Sequence, residues 1–147
     1  ALVHDTLSEG LNQDVNFDEV FDRVMMLASE VASSHGTSVR NLIDGKFGML
    51  KSEIATPLAV ALTEIVTNAV EHGLAERSGV VHINAERKPK KLGITISDNG
   101  KGLAEGKVGQ GLGTQIIRTL IEGELRGSIR WYSPTEGGTR VVIEIPL

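Results

Sequence analysis

Two polar side chains stand at the ends of predicted strands, where they could bind a ligand. Asp98 ends one strand and shares a face with three core aliphatics, Leu92, Ile94 and Ile96. Thr139 begins the last strand on the face of Val141, Ile143 and Ile145. A buried acceptor without a donor is costly, so a ligand amine is one candidate partner for Asp98. The alternatives are an Asp that only starts a turn and a Thr that only starts a strand.

A glycine-rich stretch follows Asp98 and runs into a predicted helix N-terminus near Leu112. It contains six glycines, Gly100, Gly102, Gly106, Gly109, Gly111 and Gly113. Such a backbone can approach a polyphosphate closely, and the N–H groups of a helix N-terminus suit an anion. No Lys-Ser or Lys-Thr follows the glycines, so this is not a Walker loop, and the element order does not support a dinucleotide fingerprint. A flexible linker is the alternative interpretation.

A third set of polar residues lies on one face of a predicted helix. Thr56-Pro57 predicts the helix N-terminus, and the run continues to about Arg77. Helical spacing places four polar residues on a second face, Glu64, Asn68, Glu71 and His72. Asn68 could bind a Mg²⁺ ion held by nucleotide phosphates, and Glu64 could orient its water or act as a general base. Taken singly, both are also common surface residues of helices.

The rest of the pattern supplies the elements that would position these residues. Asn16 as N-cap with Glu19 predicts a helix that stops at 33–36. A turn is expected at Asp44-Gly45, and a last helix over 112–125. Strands are predicted over 37–43, 47–50, 80–86, 92–98, 128–133 and 139–145. Aromatic residues make up only 3% of the chain, so an aliphatic core is expected, as in a two-layer α/β sandwich.

Composition excludes several classes of protein. The 147 residues suit one compact domain, and a net charge of -4 argues against a nucleic-acid partner. The basic cluster 87–91 is interpreted as a solvated hairpin turn. The chain has no cysteine, which excludes disulfides and thiolate metal sites and is compatible with a cytoplasmic location. It shows no apolar run long enough for a bilayer and no signal peptide, so no direct membrane contact is expected.

The order of these motifs resembles the GHKL ATPase superfamily. The motifs are Glu64-x-x-x-Asn68-Ala69-x-x-His72, Asp98-x-Gly100-x-Gly102, Gly109-x-Gly111-x-Gly113 and Gly138-Thr139. The superfamily includes DNA gyrase, mismatch-repair ATPases, a major chaperone class and histidine kinases. The resemblance covers about residues 16–147 and implies the Bergerat fold, a mixed, mostly antiparallel sheet covered on one face by helices. It implies ATP and Mg²⁺ as cofactors.

The resemblance also implies a role for each motif residue. Asn68 would bind Mg²⁺, Glu64 would support the metal or its water, and Asp98 would accept a hydrogen bond from the adenine amino group. Gly100 and Gly102 would shape the adenine pocket, and Thr139 would complete the purine contacts. The loop formed by Gly109, Gly111, Leu112 and Gly113 would close over the phosphates. His72 would reach a phosphate.

The N-terminal residues narrow the resemblance to one branch. The segments 1–7 and 15–19 resemble the junction after the phosphotransfer helices of sensor histidine kinases, especially actinobacterial cytosolic ones. Residues 1–15 are therefore expected to be the end of a dimerisation and phosphotransfer segment, and 16–147 the ATP-binding catalytic domain. The chain begins with Ala1 rather than Met, so a fragment is expected. The resemblance implies that this position follows the phosphotransfer helices, so the acceptor histidine is expected outside the fragment. We expect a monomeric fragment, a homodimeric full-length protein, and a response regulator as partner.

Two departures from the pattern and two alternatives stay open. Glu71 stands where many kinases have a Lys or Arg, and a phenylalanine-containing box is missing. The phosphate charge would then be neutralised by Mg²⁺, the loop backbone or one of Lys101, Lys107 and Arg118. An anti-sigma-factor serine kinase is one alternative, although the N-terminal junction argues against it. A degenerate nucleotide-binding scaffold is the other, although Asn68 and Asp98 are both present.

Overall fold

The computed structural model describes residues 14–34, 36, 38–70, 79–100, 112–135 and 137–147. The elements in chain order are β1 (Asp14–Asn16), α1 (Phe17–Ser34), β2 (Val39–Gly45), β3 (Met49–Lys51), α2 (Ser52–Asn68), β4 (Gly79–Arg87), β5 (Lys91–Asp98), α3 (Leu112–Arg118), β6 (Ser128–Tyr132) and β7 (Thr139–Pro146). A π-helical segment, Thr119–Glu124, continues α3. Within these residues, no helix combines the length and the apolar character needed to cross a membrane.

The main sheet has five strands in the order β2-β4-β5-β7-β6 among the described residues. The pair β2–β4 is parallel, and the pairs β4–β5, β5–β7 and β6–β7 are antiparallel. Alternate residues of the central strands β4, β5 and β7 point to the helices and form the core, as Ile83, Ile94 and Ile143 do. The predicted mixed, mostly antiparallel sheet with helices on one face is therefore confirmed.

The three phenylalanines of the chain join α1 to the turn before β3. The ring centroid of Phe47 lies 5.0 Å from that of Phe17 and 4.8 Å from that of Phe21, in tilted arrangements. The Asp18 carboxylate accepts the backbone N–H groups of Phe47 and Gly48 at 2.9 and 3.0 Å. A small aromatic cluster thus complements the aliphatic core that composition predicts.

Two sequence-based expectations for the first half were wrong. The second helix begins at Ser52 rather than at the Thr56 N-cap, and Pro57 lies inside it. Buried Ala55 adds a turn before the proline, because packing against the core outweighs the missing Pro N–H. The residues Asp44 and Gly45 belong to β2, which pairs in parallel with β4, and do not form a turn.

The basic turn between β4 and β5 includes one residue, Arg87, that has a structural role. The hairpin is confirmed by its register and by a Lys88 N–H to Lys91 carbonyl hydrogen bond of 2.9 Å. Arg87, however, is not a merely solvated residue, because its Nη1 donates to the carbonyl oxygens of Phe47 and Met49 at 2.7 and 2.8 Å. This guanidinium ties the hairpin to the small β1–β3 sheet.

Candidate functional site

Asp98 and Thr139 lie directly opposite each other at the end of the main sheet. They are the last register pair between β5 and β7, on the face that the helices cover. The Asp98 Oδ1 atom accepts the backbone N–H of Gly100 at 2.9 Å. The backbone N–H of Thr139 also donates to the carboxylate. The fold therefore supplies part of the hydrogen bonding that the sequence analysis expected Asp98 to need, and a ligand amine stays one candidate for a further donor.

The Asp98 carboxylate is nevertheless incompletely compensated. Burial raises the pKa of Asp98 above its ordinary value of 3.8, and the hydrogen bonds from Gly100 and Thr139 offset this only in part. A carboxylate in such a position gains from a further donor on its open side. An exocyclic amine of a purine has the right chemistry, because it donates a hydrogen bond and carries no charge.

Gly138 allows the two strands to meet at this point. Its φ is +77°, and a Cβ atom on it would lie 1.9 Å from the carbonyl oxygen of Asp98. No side chain can be accommodated at that distance. The sequence contained this residue as part of a motif, but the need for glycine came only from the backbone contact, which no local pattern reveals.

Replacing Gly138 with alanine is expected to lower the free energy of unfolding by about 2 kcal/mol or more, because both the left-handed φ and the backbone clash are unfavourable. Gly137→Ala is a matched control: its φ is +100°, but nothing lies within 4 Å of the added atom. Urea unfolding of both variants measures the difference. Equal losses in the two variants would show that the contact with Asp98 relaxes without cost.

Glu64 and Asn68 come together at the start of α3. A Cβ on Gly113 would lie 3.4 Å from the Glu64 Oε2 atom and 3.5 and 3.9 Å from the Asn68 Nδ2 and Oδ1 atoms. Gly113 therefore leaves space beside both polar side chains. The helix α2 ends at Asn68, and Ala69–Val70 continue as a π-helical turn, a distortion that often marks functional positions. These groups lie on the helix side of the sheet, as Asp98 does.

The oxygen atoms of Glu64 and Asn68 suit a hard cation such as Mg²⁺. Among the described residues, no group of three or more His, Cys, Asp and Glu side chains could hold a metal ion. Magnesium bound to nucleotide phosphates typically takes only one or two protein oxygens and completes its shell with phosphate and water. Asn68, with Glu64 one turn before it, offers that number of ligands.

Several predicted site residues fall outside the described part of the chain. They are His72, Gly102, Gly109 and Gly111, and their roles stay predictions. The backbone of Leu112 begins α3, as the predicted helix start requires, while its side chain is outside the description. Lys101 and Lys107, two of the cations considered for the phosphates, are also outside it.

Arg118, the third cation considered, already has partners. Its guanidinium carbon lies 4.9 Å from the centroid of the Trp131 ring, and its Nη1 lies 3.6 Å from Glu122 Oε1. A cation that stacks on an aromatic ring and faces a carboxylate is a weak candidate for a phosphate. The partners come from the π-helical segment and β6, and the sequence analysis predicted neither contact.

A cavity of about 200 Å³ opens at the same end of the sheet. Asp98 and Thr139 form one wall, but His82, Ser97 and Arg140 also line it, and these three lie on the sheet face opposite the helices. The cavity therefore extends around the sheet end. We assign only the wall at Asp98 and Thr139 to the candidate nucleotide site.

Asn99 is a further residue that the motif analysis passed over. Its side-chain Oδ1 accepts the Val80 N–H at 2.8 Å, and its backbone N–H donates to the Val80 carbonyl at 3.3 Å. These two bonds attach the end of β5 to the start of β4. Asn99 thereby helps to hold the backbone next to Asp98, a role that the Asp-Asn-Gly sequence could have indicated, since Asn commonly bonds to backbone in turns.

Comparison with known proteins agrees with this arrangement. The family model described as "Histidine kinase-, DNA gyrase B-, and HSP90-like ATPase" matches residues 53–147. The match covers more than half of the chain, and it includes α2, the Asp98 strand, α3 and the Thr139 strand. The chain belongs to this ATPase family.

Individual relatives and solved structures are more specific than the family match. The sensor histidine kinase PdtaS of Mycolicibacterium smegmatis is 40% identical over 152 aligned residues, which cover all of this chain and 30% of that protein. PdtaS of Mycobacterium tuberculosis is 41% identical with the same coverage. The histidine kinase domain of the blue-light-activated kinase EL346 from Erythrobacter litoralis superimposes with a TM-score of 0.81 at 23% identity, over 99% of this chain and 68% of that one. The last similarity concerns the fold.

Proposed function

We propose that this chain is the catalytic domain of a sensor histidine kinase, which binds Mg-ATP and supplies its γ-phosphoryl group to a histidine on an adjacent helical hairpin. This proposal is supported mainly by the positions of two residue pairs. Asp98 and Thr139 lie opposite each other at the end of the main sheet, and Glu64 and Asn68 lie on the same, helix-covered side of that sheet. One pair would hold the purine and the other the metal-bound phosphates. The chain spans about a third of the length of the PdtaS proteins. In this proposal, the phosphorylated histidine and the signal-sensing part belong to the rest of the full-length protein.

In this proposal each side chain has a separate task. Asp98 accepts a hydrogen bond from the adenine amino group, and Thr139 completes the purine contacts. Asn68 and Glu64 hold the metal and its water, while Mg²⁺ supplies charge neutralisation on the phosphates when it is bound. The imidazole nitrogen then takes the γ-phosphoryl group as the bond to the bridging oxygen breaks, and ADP leaves.

The remaining parts of the proposal concern partners and location. The chain would work with its own dimerisation and phosphotransfer domain and with a response regulator. The full-length protein would be a homodimer in the cytoplasm, and this chain alone a monomer in dilute solution. The whole-chain similarity to proteins named sensor histidine kinases supports this over the serine-kinase alternative.

Calorimetric titration of the chain with ATP and with ADP, each with and without Mg²⁺, tests the nucleotide part. We expect binding of both nucleotides and tighter ATP binding with Mg²⁺, since the metal links the phosphates to Asn68. A chain that binds neither nucleotide under any of these conditions would instead be a scaffold domain.

The chemical stability of the phosphorylated full-length protein tests the acceptor. The phosphoryl group should be acid-labile and alkali-stable, as a phosphohistidine is; the opposite stability would favour the serine kinase.

A further inference from the structure

Among the described residues, the strand β2 forms one edge of the main sheet, and the backbone N–H and C=O groups on its outer side pair with no strand. It pairs with β4 along one side, from Val39 with Gly79 to Gly45 with Ala85. In the described part of the chain, no strand pairs with its other side. An edge strand presents unpaired N–H and C=O groups in a row, which is a template for another strand.

This edge also carries two exposed aliphatic side chains. The side chains of Leu42 and Ile43 point to opposite faces of the sheet and are 40% and 43% exposed. Proteins usually protect such edges with short strands, bulges, prolines or inward-pointing charges. The seven residues of β2 include no proline, and its charged residues lie on one face, Arg40 before Leu42 and Asp44 after it.

We propose that β2 pairs antiparallel with β2 of a second copy of this chain, with Leu42 on the two-fold axis. In this register Leu42 faces its own copy, and Arg40 of each chain faces Asp44 of the other. All seven residues of the strand are then paired. The surface is self-complementary, as a two-fold contact requires, and it places opposite charges in directly facing positions on one sheet face.

The charges select this register over its neighbours. Sliding one strand by two residues in either direction keeps the side chains on matching faces but places Arg40 or Asp44 opposite Leu42. The centred register is therefore the one that pairs both charges and the full strand. A one-residue slip is excluded in a continuous sheet, because it would oppose side chains of different faces.

Existing contacts leave both charged groups available. The Asp44 Oδ2 atom lies 2.5 Å from His82 Nε2, yet the Asp44 side chain remains 68% exposed. A carboxylate can accept at both oxygens, so a guanidinium can approach it in addition to the imidazole. Arg40 is exposed and makes no ion pair with a residue of the described part of the chain.

The contact is small, so it joins copies that are already concentrated or held together. A single strand pair with two exposed ion pairs contributes little, and salt screens its charges. We therefore expect the chain to be a monomer in dilute solution and to dimerise reversibly as its concentration rises at low ionic strength. This contact is independent of the nucleotide site, which lies at the end of β5 and β7.

Disulfide trapping tests the register, because the chain contains no cysteine of its own. Facing residues in an antiparallel pair have Cα atoms about 4.5–5.5 Å apart, within the range for a disulfide. In the proposed contact this holds for Leu42→Cys, whereas residue 43 meets its copy only diagonally. Under mild oxidation we expect the Leu42→Cys variant to form covalent dimers at least about tenfold faster than Ile43→Cys, a control of similar exposure on the same strand. Equal or reversed rates would overturn the register.

Charge reversal tests the partner. Sedimentation equilibrium of Arg40→Asp alone and of Asp44→Arg alone should show a weaker dimer than the unchanged chain, because like charges then face each other twice. An equimolar mixture of the two variants restores both opposite-charge pairs and should dimerise again. A chain that stays monomeric at submillimolar concentration, or a dimer that neither variant weakens, would overturn the proposal; in the first case an extended peptide of another protein becomes the candidate occupant of this edge.

Discussion

Replacing Asp98 with alanine is expected to abolish detectable binding of ATP and ADP. The carboxylate is the acceptor at the sheet end, and a hydrogen bond to a charged group contributes about 1.5–3 kcal/mol. Alanine removes that acceptor and also the partner of the Gly100 N–H. Calorimetric titration with each nucleotide measures the loss. Unchanged affinity would mean that the purine is not bound at this carboxylate.

A second substitution separates the binding role of Asp98 from its effect on stability. Asp98→Asn keeps the shape and removes the charge whose burial raises the pKa of this carboxyl. Because the pKa of Asp98 is higher in the folded chain than in the unfolded chain, the ionised carboxylate stabilises the folded state less than the protonated carboxyl does. Its stability contribution therefore falls as pH rises from the ordinary value of 3.8 through the higher folded pKa. The Asn variant lacks this fall and should be at least as stable at neutral pH, while it binds ATP poorly.

Urea unfolding of the unchanged chain and the Asn variant between about pH 4 and about pH 7 checks the sign. The difference in unfolding free energy should move in favour of the variant as pH rises. A constant difference across this range would contradict the incomplete compensation of Asp98, even if nucleotide binding were lost as expected.

Replacing Asn68 with alanine should remove the dependence of ATP affinity on Mg²⁺. The unchanged chain is expected to bind ATP more tightly with Mg²⁺ than without it, by on the order of tenfold. The variant lacks the Asn68 ligand to the metal. The variant should bind equally with and without it, and the full-length protein carrying the same change should not transfer the phosphoryl group. Titrations with and without Mg²⁺ measure the first effect, and phosphorylation of the full-length protein measures the second.

Asn84→Ala is the matched control for this experiment. Asn84 is an exposed asparagine on β4, on the sheet face away from the helices, so its loss should leave the metal dependence unchanged. If Asn68→Ala retains the full effect of Mg²⁺, the metal is bound elsewhere, and the assignment of the α2 face fails.

The sequence predicted the parts of the fold that depend on local pattern. The strands β4 and β5 were predicted to within a residue, because their alternation and their turn are local. The start of α2 was missed, since Thr56-Pro57 is a sound local start that packing of the preceding turn outweighs. The parallel pairing of β2 with β4 was also beyond local reasoning, because the partner lies across a helix in the chain.

The candidate site also combines residues that the sequence predicted with contacts that it did not predict. The types and spacing of Glu64, Asn68, Asp98 and Thr139 were visible in the sequence, and the structure puts the first two beside Gly113 and the last two in register. Gly138 depends on a backbone contact across strands, and the engagement of Arg118 depends on a ring that lies 13 positions further on. Such contacts follow from tertiary packing, which spacing along the chain does not contain.

The stacking of Arg118 on Trp131 also has a spectroscopic consequence. Trp131 is the only tryptophan of the chain, and the guanidinium beside it belongs to α3, the helix whose start lies next to Glu64 and Asn68. The emission of an indole depends on the charge next to its ring, so a displacement of α3 that moves the Arg118 guanidinium is expected to change the intrinsic fluorescence of this chain. Movement of α3 beside Glu64 and Asn68 can thus be followed in the unlabelled chain, at low concentration and in real time.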